Sequence, residues 1–190
     1  MTTNIINKFP GGDNDHHAEA FIDVLDDYGI RTGESMSRNK IHELGKIHRA
    51  VHLYLFDKSN HLLLQRRSYA LDHYPGVLSI SLTGHIDAGE SSSEALYREL
   101  KEELNFNSNH MKIEFLFSFR QDVVISPRNI DRQFNDVYAC WHDFSIQDVM
   151  FNPNEVCEVT LVPFSVFQSM VYDPTSDLSH VYKRACADVA

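Results

Sequence analysis

The chain has 190 residues, 43% hydrophobic and 23% charged, which is enough for a real core and too apolar for disorder along its whole length. Its formal net charge of -10, with Lys and Arg dispersed, lacks the basic stripe of a protein that binds nucleic acid as a polymer. No apolar run is long enough to span a membrane, no export leader is apparent, and Cys140, Cys157 and Cys186 lack CxxC spacing, so inert thiols in the cytoplasm are expected.

Residues 1–18, rich in Asn, Asp and Gly and carrying His16 and His17, read as a mobile leader, with a single domain over 19–190. From Phe21 the pattern predicts a β-hairpin around the Asp27-Tyr28-Gly29 turn, then a helix of one or two turns capped by Ser37 and ending at Gly45. Two β-rich runs flanking "DKSN" predict a hairpin that brings Val51–Phe56 alongside Leu62–Gln65. "VLSISL", "KIEFLFSFRQDVV", "FNDVYACWHDF" and "EVCEVTLVPF" read as further strands, with "PRNIDRQ" as a loop. "SVFQSMVY" and "DLSHVYKRACADV" read as amphipathic helices. The sum is an α+β domain, a layered α/β/α sandwich on a mixed sheet, and not a doubly wound Rossmann fold.

Between "VLSISL" and the next strand lies "GHIDAGESSSEALYRELKEELNF". Ser91 and Glu94 have capping-box spacing, which starts a helix at Ser92. At about 100° per residue, Glu99 and Glu103 fall about 40° apart and Glu102 about 60° to the other side, so the three carboxylates share a face. Ala95, Leu96, Leu100 and Leu104 form the opposing apolar face. A lone Glu pair would be only a solvated acidic face. Convergent carboxylates beside a Gly loop instead suit a hard divalent cation holding a diphosphate.

Gly84, Glu90, Arg98, Glu99, Leu100, Glu102, Glu103 and Phe106 stand at the spacing G-x5-E-x7-R-E-U-x-E-E-x-G-U, which resembles the box of the Nudix hydrolases. Asn105 replaces the usual Gly at the helix end, where Asn is the next best residue for a left-handed backbone. The resemblance implies Mg²⁺- or Mn²⁺-dependent hydrolysis of a small-molecule diphosphate, such as a nucleoside diphosphate derivative, by water attack at phosphorus. It implies Glu102 and Glu103 as metal ligands, with the Gly84 carbonyl and Glu99 as further ones. Glu99, Glu102 and Glu103 are then the catalytic group, and Arg98 and Glu90 form a structural ion pair. A further carboxylate comes from Asp136, Glu155 or Glu158.

Outside the box, "SRNKIHELGKIHRAVHLYLFDKSNHLLLQRRS" and "YPGVLSISLTGH" resemble the isopentenyl-diphosphate isomerase-like branch. In the isomerases, histidines matching His42, His48 and His85 join carboxylates around a metal, and the later strand offers Asp136, with Phe134 where another acid is expected. His52 and His61 receive no role. The isomerases carry a catalytic cysteine where Thr83 stands, and a threonine hydroxyl is a poor proton donor or acceptor. That and the near-complete box favour hydrolysis over the alternative, isopentenyl-diphosphate isomerisation. Of Arg66 and Arg67, strand alternation lets one at most face a bound phosphate. A homodimer is left open.

Overall fold

The structure is a computed structural model that describes residues 20–71, 74–176 and 178. The predicted leader and nearly all of the final predicted helix, with Cys186, lie outside those residues.

The chain opens with β1 (Phe21–Leu25) and β2 (Arg31–Ser37), an antiparallel hairpin. The Asp26 carboxylate closes its turn by accepting the Tyr28 and Ile30 N–H groups, both at 2.9 Å. After Ser37 comes a short helix, α1 (Arg38–Glu43), and then the central strand β3 (Ile47–Phe56). One edge of β3 pairs in parallel with β8 (Asn129–Trp141) from Ile47↔Arg132 to Phe56↔Trp141. Its other edge is shared by three partners in succession: β1 at Ile47, β6 (Leu82–His85) from Ala50 to Leu53, and β4 (His61–Arg67) at Phe56.

That sharing corrects the second predicted hairpin. β3 and β4 are joined by the Asp57–Asn60 turn, yet only Phe56 and Leu62 pair before the strands diverge. The Leu55 N–H donates instead to Ser81 Oγ at 2.8 Å, and that hydroxyl donates to the Leu63 carbonyl at 2.6 Å. Ser81 thereby satisfies both separating backbones in a buried place where each would otherwise be orphaned. "VLSISL" is accordingly not one strand. It breaks at Ile80–Ser81 into β5 (Leu78–Ser79) on β4 and β6 on β3.

The segment read as a loop, "PRNIDRQ", is also mostly strand. β7 (Ile113–Ser126) and β8 form a long antiparallel ladder that continues to Ser126↔Asn129, leaving Pro127 and Arg128 as the turn. Polar composition suggested the loop, but alternation from Asn129 onward matches the pleat of β7. β9 (Val156–Pro163) pairs with β4 along its length, and α3 (Phe164–Tyr172) follows as predicted.

Alternation along β3 divides the core. Val51, Leu53 and Leu55 face one way and pack with Tyr138 and Cys140 against Leu96, Leu100 and Leu104 of α2 (Ser92–Leu104). On the other face, Phe56 joins Leu62, Leu64, Ile80 and Phe167 beneath α3. Helices thus cover both faces of a mixed sheet, the α+β sandwich expected. His48, Ala50 and His52 share the face of Phe56 but lie beyond the cover of α3, where a cavity opens.

Candidate active site

Helix α2 has both hydrogen bonds of the capping box between Ser91 and Glu94, and it ends at Asn105 with φ 54° and ψ 26°, the left-handed cap. Its fully buried leucines fix its rotation, which carries Glu99 and Glu103 inward to 5% and 6% exposure. Gly84 permits this approach: a Cβ there would fall on the Glu99 carboxyl group. Arg98 ties the loop to the helix, donating to Glu90 at 3.0 Å, to the His85 carbonyl at 3.0 Å, to Glu99 at 2.9 Å and to Glu102 at 3.2 Å. Glu102 sits outward at the rim, while Glu99 and Glu103 line the cavity.

Burial pushes the Glu99 carboxyl above the ordinary range, and Arg98 only partly opposes it. Burial raises Glu103 as well, and the charges of Glu99 and Glu155 raise it further. Gln65 Nε2 donates to Glu103 Oε2 at 3.0 Å, holding that carboxylate in place from β4. Glu155 lines the same cavity. Its backbone is clamped by Ser68 N–H donating to the Glu155 carbonyl at 2.8 Å, and the loop before it is fastened to α2 by Asn152 N–H donating to the Glu103 carbonyl at 2.8 Å. Two buried carboxylates with a third beside them form an oxygen donor set that fits Mg²⁺ or Mn²⁺.

A second group lies next to the first. His42 from α1, His48 from β3 and His85 from β6 have ligating atoms all within 4.8 Å of one another. His42 Nδ1 donates to the Arg38 carbonyl at 2.7 Å and His48 Nδ1 to the Lys46 carbonyl at 3.2 Å, which makes each Nε2 the lone-pair nitrogen, that of His42 lying 3.3 Å from His85 Nε2. Asp131 Oδ1 stands 3.5 Å from His48 Nε2 and 3.8 Å from His42 Nε2. Asp131 Oδ1 and His48 Nε2 are both buried without a hydrogen-bond partner. Burial lowers His42, takes His48 down to about 3, and lifts Asp131 to about 6. Neutral imidazoles oriented by carbonyls around an unmatched carboxylate are a donor set that fits a divalent transition metal.

The two groups share a wall. Arg38, Arg67, Thr83, Gly84 and His85 border both the carboxylate compartment and a cavity of about 120 Å³ that runs on to His52, Phe119 and Gln121. Of the two predicted arginines, Arg67 is on this wall, while Arg66 is turned away to Glu158 at 3.2 Å and the Gly76 carbonyl at 2.8 Å. That bond also occupies Glu158. Asp136 is held by Arg49 at 2.7 Å and by Ser118, and it lines a separate cavity with Asp23 and Glu90. Position 136 is even, whereas Asp131 and Gln133 carry the odd, site-facing positions of β8, so these two border the histidines, where the sequence had offered Asp136 and had Phe134 in place of a further acid. His61 is distant, paired with Asp57 at 3.0 Å. Sequence reasoning missed Arg38, His52, Asp131 and Gln133. The alternation of Asp131, Gln133 and Asn135 was the available signal for the last two.

Residues 46–181 match the sequence profile of the NUDIX domain. The chain is 37% identical over 158 residues to Nudix hydrolase 3 of Arabidopsis thaliana, a match covering 81% of this chain and 20% of that protein. It is 32% identical over 105 residues to an isopentenyl-diphosphate Delta-isomerase of Serratia proteamaculans, covering 55% of this chain and 57% of that one. These matches span less than two thirds of either relative. The crystal structure of DR0079 from Deinococcus radiodurans superposes with a TM-score of 0.65 at 25% identity, covering 86% of this chain and 98% of that chain.

Proposed function

We propose that this chain, which belongs to the NUDIX domain family, hydrolyses a diphosphate linkage in a small molecule with the help of divalent cations. The observation that carries the reading is the burial of Glu99 and Glu103 against Gly84, in a compartment that opens past Arg67 into a second cavity. Carboxylates that repel one another gain nothing from being buried together unless a cation offsets the cost.

In this reading Glu99, Glu103 and the rim residue Glu102 hold Mg²⁺ or Mn²⁺, with the Gly84 carbonyl available beside them. His42, His48, His85 and Asp131 hold a second divalent ion. Bound cations supply neutralisation of the diphosphate charge and acidify water. Arg67 grips phosphate oxygens from the shared wall, with Arg38 as a second guanidinium there. Water attacks phosphorus, the anhydride P–O bond breaks with its electron pair going to the bridging oxygen, which departs on the leaving phosphate, and one proton of the attacking water passes to a carboxylate of the Glu99, Glu103 and Glu155 group. Arg98 is a positioning residue, since all its bonds are internal to the box and its loop.

The isomerase reading is not adopted. Thr83 borders both compartments at the position where proton transfer to carbon would require a thiol, and its hydroxyl cannot serve.

The test is metal-dependent release of phosphate or nucleotide from a panel of nucleoside di- and triphosphates, sugar nucleotides and prenyl diphosphates. Wild type should cleave at least one with Mg²⁺ or Mn²⁺, and Glu103→Gln should lose roughly a hundred-fold or more in kcat/KM. Unchanged hydrolysis of every compound by Glu103→Gln would remove that residue from the metal site.

A further inference from the structure

His52 is the one imidazole on the site-facing side of β3 that takes no part in the histidine cluster. It lies two residues beyond Ala50, opposite Thr83 on β6 and Val137 on β8, and it is 8% exposed. Among the described residues its ring has one aromatic neighbour, Phe119, edge-on with centroids 5.9 Å apart, and neither nitrogen has a hydrogen-bond partner. Both residues line the cavity beyond the wall shared with the carboxylate compartment. Burial takes His52 down to about 4, so the ring is neutral at physiological pH and offers one N–H donor and one lone-pair acceptor.

Neither nitrogen is sealed from solvent: the ring presents its polar edge to the cavity, where leucine would present none. Water meets that edge until a bound molecule brings the hydrogen bond that the protein does not supply. Location says which part of that molecule does so. Arg67, Gly84 and His85 border both compartments, so the diphosphate crosses there, and whatever it carries extends toward His52, Phe119 and Gln121.

We propose that His52 reads the organic part of the substrate through an uncharged hydrogen-bonding group, with Phe119 as the adjoining wall, so that the substrate is a diphosphate of a hydroxylated or heteroatom-bearing group and not of a plain hydrocarbon. This rests on the hydrolytic reading above and narrows it. A site whose polar edge finds its partner only in the bound molecule rejects an analogue that lacks the complementary group more strongly than an apolar pocket rejects an added hydroxyl.

The experiment compares ribose 5-diphosphate with its ring-size hydrocarbon counterpart, cyclopentylmethyl diphosphate, by phosphate release with Mg²⁺ or Mn²⁺. Wild type should prefer the pentose. That preference, read as the ratio of the two kcat/KM values, should fall by roughly ten- to a hundred-fold in His52→Leu and be partly restored in His52→Gln, which keeps a donor and an acceptor. Metal-free His52→Leu should melt no lower than wild type, which keeps misfolding out of the comparison. If cyclopentylmethyl diphosphate is cleaved as well as the pentose, or if His52→Leu leaves the ratio unchanged, the inference fails alone. If no compound of the wider panel is cleaved with any divalent metal, the hydrolytic reading fails and takes this inference with it.

Discussion

Replacing Asp131 by asparagine should stabilise the metal-free protein, and by an amount that depends on pH. The side chain keeps its shape and loses its charge. Burial holds the Asp131 carboxyl at about 6 against an ordinary 3.8, about two units, which corresponds to ~3 kcal/mol once the group is ionised in both states. The folded protein holds that proton up to about pH 6 and the unfolded chain only to about 4, so stability contributed by this site falls as pH rises between them. Below pH 4 Asp131 imposes no penalty, and above pH 6 the whole penalty is present. The depressed His48 works in the opposite sense, losing stability as pH falls below 6.5, but it is present in both proteins and drops out of the difference to first order. The advantage of Asp131→Asn should therefore be absent near pH 4 and reach its maximum above pH 6.5, as much as ~10 °C in Tm for a chain of this size. Thermal unfolding in EDTA at half-unit steps from pH 4.5 to 8 would measure it. Adding Mn²⁺ or Zn²⁺ should reverse the order, because wild type gains a ligand-linked increment that the variant largely loses. An Asn variant that melts below wild type at pH 8 in EDTA, or a difference flat across pH, would mean that Asp131 is a compensated structural carboxylate.

Gly84→Ala drives a methyl group into the Glu99 carboxyl and should cost ~1–3 kcal/mol in urea unfolding, together with most of the activity. A variant with native stability and turnover would show that the loop and helix are further apart than described. Arg67→Ala should raise KM for a diphosphate substrate at least ten-fold, whereas Arg66→Ala, whose partner is Glu158, should mainly lower Tm; the reverse outcome would exchange their assignments. Because Glu99 and Glu103 must shed protons that burial favours, Mg²⁺ should raise Tm more at pH 8 than at pH 6, and equal increments by calorimetry would place the ion elsewhere.

The box and its helix were legible because every constraint on them is local. Capping residues, leucine spacing and the left-handed Asn105 lie within one segment, and strand alternation allowed one at most of Arg66 and Arg67 to face the site without naming which. What the sequence concealed was set by pairings between distant segments. Nothing near Leu55 announces that its N–H will go to Ser81, so the splitting of β3 from β4 was hidden. Asp131 was hidden by its neighbours: a proline, an asparagine and two arginines look like a loop, although the strand they continue was already recognised. His52 was passed over because its environment comes from β6, β7 and β8, none of them adjacent to it in the chain.

Those distant pairings also bear on the choice between hydrolysis and isomerisation. Moving a proton at carbon needs a group whose acidity lies near working pH, and among the described thiols none is suitably placed. Cys140 is packed in the core under α2 and pushed up to about 11, and Cys157, raised by burial, donates to the Arg67 carbonyl from β9. Neither borders the compartments where Thr83 lies. Water attack at phosphorus asks for less: a neutralised diphosphate, a proton acceptor and a fixed geometry. On the proposed reading, Glu99, Glu103, Glu155 and Arg67 offer these from three separate parts of the chain, held together by Gly84, Gln65 and Asn152, and Thr83 in place of a thiol takes nothing from that reading.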